Sequence, residues 1–305
     1  MTTANNVGLT YAAIMSTYNA EDTIARALNS LICQSVCANE IIVVDDNSSD
    51  RTRQILYEIS KSNPKINLVF LQKNLGQSHA RNLAGELAKS DILMFFDDDD
   101  YSKPLRAEEH LKMHLDSEIS YVSSTKLYSN NYEVKCTNRD TRITLDPGKS
   151  VRKLILGKDS DEMASLWIPA STSSFSRNFF RNIGGYDTSL RRLEDVDIFL
   201  RAAVERGTVR WTSKNLVDRY ATFSNIKGGR IETKYEEIIL NKYGTLLTVK
   251  ESRDALSLIH IRRAYFTKNL FSFCYYAIRN PSIFFLTPER LIRFFKRLIH
   301  DIRKS

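Results

Sequence analysis

Four short apolar runs punctuate the first hundred residues: Tyr11-AAIM, Ile41-IVV, Asn67-LVFL and Ile92-LMFF. Runs of this length, with no polar alternation, suit strands buried on both faces of a parallel sheet. Between them the apolar spacing is helical. Ile24, Leu28 and Leu31 share a face in the first interval, Ile55 and Ile59 in the second, and Ala80, Leu83, Ala84 and Leu87 in the third. Strand–helix–strand repeats of this kind predict right-handed crossovers and an open α/β fold with a mostly parallel central sheet flanked by helices.

Ligands of open α/β sheets gather beyond the carboxyl ends of the strands. Three strings fall there: Ser16-Thr17-Tyr18-Asn19, Asp45-DNSSD, and the run Asp97, Asp98, Asp99 and Asp100. Four adjacent carboxylates repel one another, and a strand end does not require them. A hard cation carrying a phosphate accounts for them, because Mg²⁺ or Mn²⁺ takes one or two carboxylates together with phosphate oxygens. Blander readings stand beside this one. The aspartates would also make a solvated turn, and Asp45 and Asp46 are turn formers, with Ser48, Ser49 or Asp50 capping the second helix. His79, His110 and His114 read as surface or packed histidines; HLKMH lacks the Glu of a zinc-protease motif, so no zinc site is assigned.

Four segments then carry a resemblance: Ala13-IMSTYNAEDTIARALNSLICQS, Glu40-IIVVDDNSSDRT, Asn74-LGQSHARNLAGELAKSDILMFFDDDD and Ile183-GGYDTSLRRLEDVDIFLRA. In this order the chain resembles the family 2 glycosyltransferases. That resemblance implies a GT-A fold and an inverting, metal-dependent transfer of one sugar from a nucleotide-diphosphate donor, a UDP-sugar by preference, with Mn²⁺ or Mg²⁺ as cofactor. Carried across residue by residue, it implies that Ser16, Thr17 and Tyr18 contact the nucleotide and that Asp46 accepts a hydrogen bond from the base. It puts Arg81 near the nucleotide and phosphates. Asp97-Asp98-Asp99 matches the DxD position, with Asp99 the first choice of metal ligand, Asp97 supporting it and Asp98 on the nucleotide side. The Glu194-Asp195 pair matches the segment that supplies the catalytic base, Asp195 before Glu194. The acceptor is expected to be a glycan or lipid-linked sugar of bacterial surface polysaccharide. Trp167 or Tyr186 would stack on a sugar ring or belong to the core. The QxxRW signature of the processive synthases is absent, so one sugar per encounter is expected.

The chemistry agrees with that division of labour. Transfer with inversion needs a stabilised leaving group on one side of the sugar and a general base on the other. The alternative for Glu194 and Asp195 is a helix start whose first-turn acids favour the macrodipole. Two rival functions remain: a non-catalytic binder of nucleotide sugars, and a phosphatase with an aspartyl nucleophile, which would leave the Ser16 and Asp46 strings without a role.

Composition adds bounds. Cys33, Cys37, Cys136 and Cys274 show neither a CxxC pair nor histidines at metal-ligand spacing, which suits reduced thiols in the cytoplasm. No secretion signal opens the chain, and no apolar run is long enough to span a bilayer. The net charge of +8 lies entirely in residues 250–305, which hold 12 Lys/Arg against 4 Asp/Glu. A nucleic-acid enzyme would carry that charge around its cleft, so no nucleic-acid partner is expected. From Thr287 the pattern predicts a basic amphipathic helix with Leu291, Ile292, Phe295, Leu298, Ile299 and Ile302 on one face. Such a helix docks on its own domain or lies on an anionic membrane, giving a peripheral enzyme at the inner face of the cell membrane. The expected organisation is a catalytic domain over 1–250, with a nucleotide half (1–100) and an acceptor half (101–250), and a helical basic tail over 251–305.

Overall fold

The computed structural model describes residues 8–116, 120–128, 141–156, 169–220, 229–267 and 269–279. Trp167, Cys136 and the amphipathic segment 287–305 lie outside the described residues. Two compact units result: Met1–Leu145 with Ser165–Phe223, and Asp146–Ala164 with Ser224–Ser305.

The first unit begins with the expected alternation: β1 (Tyr11–Thr17), α1 (Ile24–Ile32), β2 (Glu40–Asp45), α2 (Thr52–Lys61), β3 (Ile66–Phe70), α3 (Gln77–Leu87) and β4 (Ile92–Asp97). It continues through β5 (Asp100–Ser102), α4 (Arg106–His114), β6 (Tyr121–Tyr128) and β7 (Thr141–Thr144). Across the chain follow α5 (Pro147–Leu156), β8 (Ser173–Ser176), α6 (Arg177–Asn182), α7 (Glu194–Val204), β9 (Thr208–Arg219), α8 (Gly229–Tyr243), α9 (Val249–Phe266) and α10 (Leu270–Arg279). Among the described residues nine strands form one sheet in the order β3-β2-β1-β4-β8-β6-β9-β5, with β7 on β9. β1, β2, β3 and β4 are parallel, as the run-and-helix alternation predicts. Beyond β4 the sheet is mixed: β8 runs antiparallel to β4 and β6, while β6 and β9 are parallel.

β1 is buried along its whole length, and Ile24, Leu28 and Leu31 of α1 are buried against this part of the core. In α2, Ile55 and Ile59 are only partly buried, and Thr52 and Leu56 are the fully buried residues. The expectation for α3 needs a correction. Ala80 and Ala84 face inward, but Leu87 is 42% exposed, and the inner face is completed by Arg81 and Gly85. The helix packs closely there: a Cβ on Gly85 would meet the Phe180 ring at 3.0 Å, a tight contact. Tyr186 belongs to the core: it is 2% exposed and meets Phe95 edge-on at 5.4 Å. His110 and His114 are packed, both bonded to the Ser174 hydroxyl, at 2.8 and 2.9 Å.

The second unit holds α5, α8, α9 and α10. Ion pairs Arg262–Glu236 at 3.2 Å and Arg263–Glu237 at 2.7 Å lace α9 to α8, and Tyr276 of α10 stacks on His260 of α9 at 4.5 Å. The expected boundary at 250/251 falls inside α9. Among the described residues no helix is long and apolar enough to cross a membrane.

Candidate functional site

The run of aspartates is a tight turn between two strands. Ile92 to Phe96 are buried on both faces, β4 ends at Asp97, Asp98 and Asp99 turn the chain, and Asp100 opens β5. In a continuing strand, alternation would point Asp97 and Asp99 one way and Asp98 and Asp100 the other. The turn breaks that alternation. Asp97, Asp99 and Asp100 each offer a carboxylate oxygen, and these atoms lie within 4.8 Å of one another. An all-oxygen, all-anionic donor set suits Mg²⁺ or Mn²⁺ rather than a softer metal. Asp100 is the ligand candidate that sequence reasoning missed; its only signal was adjacency.

Asp98 does not join the cluster. Its Oδ2 accepts from the Tyr18 amide at 3.2 Å, and burial, with Asp99 adding to it, pushes its carboxyl up to about 7. It therefore ties the acidic turn to the end of β1. There Ser16 pairs with Asp97 in register and Thr17 with Asp45; both are buried, whereas Tyr18 is half exposed. Beneath the turn lies Arg106, with no exposed surface, which donates to the Phe95 carbonyl at 2.6 Å and to Ser102 Oγ at 2.9 Å. Burial lowers its pKa to about 10, and the nearby Asp100 and Asp97 oppose that fall.

Asp46 is placed at the same edge, but its carboxylate already works inside the protein. Oδ1 accepts from the Leu75 amide and Oδ2 from the Gly76 amide, each at 2.7 Å. This clamps the loop that enters α3. Gly76 adopts a φ of 97°, a backbone conformation that favours glycine.

Five residues into α3, Arg81 is buried and reaches two acids. Its Nη2 donates to Asp97 Oδ1 at 2.8 Å and its Nη1 to Glu194 Oε1 at 3.1 Å. Gln77, one turn earlier, donates its side-chain amide to the same Glu194 oxygen. Glu194 is thus an anchored side chain, only 6% exposed. Its neighbour differs. Asp195 is half-buried, and burial, reinforced by Glu194, pushes its carboxyl up to about 7. Leu193, immediately before the pair, sits at a φ of 63°. A leucine in the left-handed region is strained, and such strain clusters at functional sites.

The structure therefore gathers Ser16, Thr17, Tyr18, Asp46, Arg81, Asp97, Asp98 and Asp99 at the carboxyl edge of the parallel strands, with Glu194 bound to Arg81. Arg81 bridges two carboxylates, which spacing along the chain does not reveal. Gln77 and Arg106 were unsignalled, because their partners, Glu194 and the Phe95 carbonyl, lie on other elements of the chain and meet them only in the fold.

Residues 12–180 match the domain described as glycosyl transferase family 2. A putative teichuronic acid biosynthesis glycosyltransferase, TuaG of Bacillus subtilis, is 36% identical over 110 residues, covering 36% of this chain and 44% of that one. The Escherichia coli protein WfgD, a UDP-Glc:alpha-D-GlcNAc-diphosphoundecaprenol beta-1,3-glucosyltransferase, is 35% identical over 121 residues, 40% of this chain and 45% of the relative. The chain thus spans under half the length of these two relatives. Among solved structures, S. aureus TarS in complex with UDP-GlcNAc superposes with a TM-score of 0.62 at 20% identity, over 86% of this chain and 75% of that one. The mannosyltransferase PcManGT of Pyrobaculum calidifontis, in complex with GDP-Man and Mn²⁺, gives 0.60 at 16% identity, over 90% and 75%. These two likenesses are of fold: the GT-A arrangement.

Proposed function

The chain belongs to glycosyl transferase family 2, and we propose that it moves one sugar from a nucleotide-diphosphate donor, a UDP-sugar, to a glycan or lipid-linked acceptor, with inversion, in the assembly of bacterial surface polysaccharide. One observation carries this reading. A carboxylate cluster fit for a hard cation is tied through Arg81 to Glu194, whose chain neighbour Asp195 is a separate acid with its carboxyl raised by burial.

In this reading Asp97, Asp99 and Asp100 hold Mn²⁺ or Mg²⁺, which when bound supplies Lewis-acid stabilisation of the departing diphosphate. Ser16, Thr17, Tyr18 and Asp98 line the nucleotide side, and Asp46, whose two carboxylate oxygens hold the Leu75 and Gly76 amides, fixes the loop that meets the base. Asp195 accepts the proton of the acceptor hydroxyl as it attacks. Its carboxyl at about 7 suits a general base working near neutral pH, since the best catalytic value lies close to the operating pH. Glu194, whose Oε1 takes two donors, orients the start of α7 and repels charge on Asp195. The nucleotide is received by residues 1–100 and the acceptor by later residues of the same unit, within 101–145 and 165–223.

Attachment to the inner face of an anionic membrane through the basic C-terminal segment completes the proposal. The excess charge of residues 250–305 supports it. So does α10, which presents Phe271, Tyr275 and Ile278 to solvent at helical spacing. The relative WfgD is named for a diphosphoundecaprenol-linked acceptor, a lipid that such an enzyme would meet at a membrane. A thermal-shift screen of UDP-sugars and GDP-mannose with Mn²⁺ tests the donor assignment, because a ligand that binds the folded state raises its apparent stability. Stabilisation by UDP-sugars is expected. No shift with any nucleotide sugar removes the reading.

A further inference from the structure

Arg26 has no part in the roles above, yet it is bonded to the acidic turn. It is the third residue of α1, and its Nη2 donates to the main-chain oxygen of Asp99 at 2.9 Å. The guanidinium lies over the Tyr220 ring, 3.8 Å from its centroid. Tyr220 directly follows β9, whose residues Val217, Asp218 and Arg219 pair with Ser102, Tyr101 and Asp100 of β5. Two elements remote in sequence thus meet on one peptide group.

That group is the link between two members of the cluster. The Asp99 carbonyl and the Asp100 amide belong to the same plane, so fixing the carbonyl restricts ψ of Asp99 and φ of Asp100 together. The directions of both side chains from the backbone follow. A turn of four carboxylates opposes such an arrangement by repulsion, and a cation bonded to its backbone offsets part of it. A planar guanidinium can hold an aromatic face and donate in its own plane at once, which an ammonium cannot.

From this we propose that Arg26 is a positioning residue for the acidic turn, held flat by Tyr220, and that it sets the approach of the Asp99 and Asp100 carboxylates to a divalent cation. The inference rests on the reading of Asp97, Asp99 and Asp100 as a cation site.

The test is Mn²⁺ uptake by the full chain in the presence of UDP, followed by loss of the free-ion EPR signal, with melting curves as a check on folding. Arg26→Gln removes a charge-assisted hydrogen bond and is expected to weaken Mn²⁺ binding about tenfold or more. Arg26→Lys restores part of that loss by keeping the charge. Tyr220→Ala weakens binding about two- to fivefold through loss of the stacking, and Tyr220→Phe, which keeps the face, does not. In donor turnover, the half-saturating Mn²⁺ concentration rises more than the rate in saturating Mn²⁺ falls, since Arg26 touches no reacting atom. Wild-type Mn²⁺ affinity in folded Arg26→Gln overturns the inference while leaving the cation site intact. Should Arg26→Gln fail to fold, equal affinities for Tyr220→Ala and Tyr220→Phe overturn it. If the wild type itself takes up no Mn²⁺ with UDP, the cation-site reading falls, and this inference with it.

Discussion

Asp97 and Glu194 are held by one guanidinium: Arg81 donates to the first at 2.8 Å and to the second at 3.1 Å. Their chain positions give no hint of it. The first ends the strand that carries the acidic turn, and the second opens the helix that carries the proposed base. Arg81→Gln leaves both carboxylates without that cation. Loss of a buried partner destabilises by about 3–5 kcal/mol, and the lower end is expected here because the Asp97 side chain is 26% exposed. Urea unfolding of the variant checks the figure; unchanged stability would show that the bridge is not formed in solution.

Asp195→Asn should keep donor affinity and lower kcat by about 10²–10⁴-fold, the range for removal of a general base. Glu194→Gln retains an acceptor oxygen for Gln77 and Arg81 and should cost less. A dead Glu194→Gln beside a near-normal Asp195→Asn reverses the two roles. With the Asp195 carboxyl raised to about 7 by burial and Glu194, kcat/KM should rise with pH through that region as the base ionises. The same shift acts on stability. Between the unfolded value near 4 and about 7 the folded state binds the extra proton, so this group's stabilising contribution is full at low pH and is lost as pH rises through 7.

His110 acts with the opposite sign. Burial, then Arg106 and His114, holds its imidazole well below the ordinary value, so the fold keeps it neutral. Its contribution is present above the unfolded value near 6.5 and is lost as pH falls below it. Ser174→Ala removes the hydroxyl that both imidazoles use and should cost about 1–3 kcal/mol at neutral pH. Melting temperatures at pH 7.5 and 5.5 for the wild type and Ser174→Ala test both statements.

Much of the nucleotide half was legible because burial on both faces leaves strands such as Ile92–Phe96 no polar positions, and because α1 keeps a clean apolar stripe. The later sheet was not, since β8 is four residues long and its pairing with β4 and β6 is set by packing rather than pattern. Within the site, residue types announced themselves and partners did not. The resemblance pointed to Asp97, Asp99 and Asp195, and the first two lie together with Asp100. That Asp100 joins the cluster, while Asp98 turns to Tyr18, depends on one turn in the backbone that four identical letters cannot encode.

The C-terminal segment gives a prediction independent of the site. Basic residues near an anionic leaflet contribute about 1 kcal/mol each. Reversing Arg293, Lys296 and Arg297 to Glu should therefore abolish salt-sensitive binding to anionic vesicles. Wild-type protein that ignores such vesicles at low salt removes the membrane assignment and leaves the transferase reading untouched.

The central claim is metal-dependent sugar transfer by this acidic edge, and release of UDP from a panel of UDP-sugars, with Mn²⁺ and then with excess EDTA, addresses it directly. The account predicts UDP release with Mn²⁺, its loss in EDTA, recovery with fresh Mn²⁺ or Mg²⁺, and strongly reduced release by Asp99→Asn and Asp195→Asn variants that melt like the wild type. Full release in excess EDTA, or undiminished release by Asp195→Asn, would contradict it.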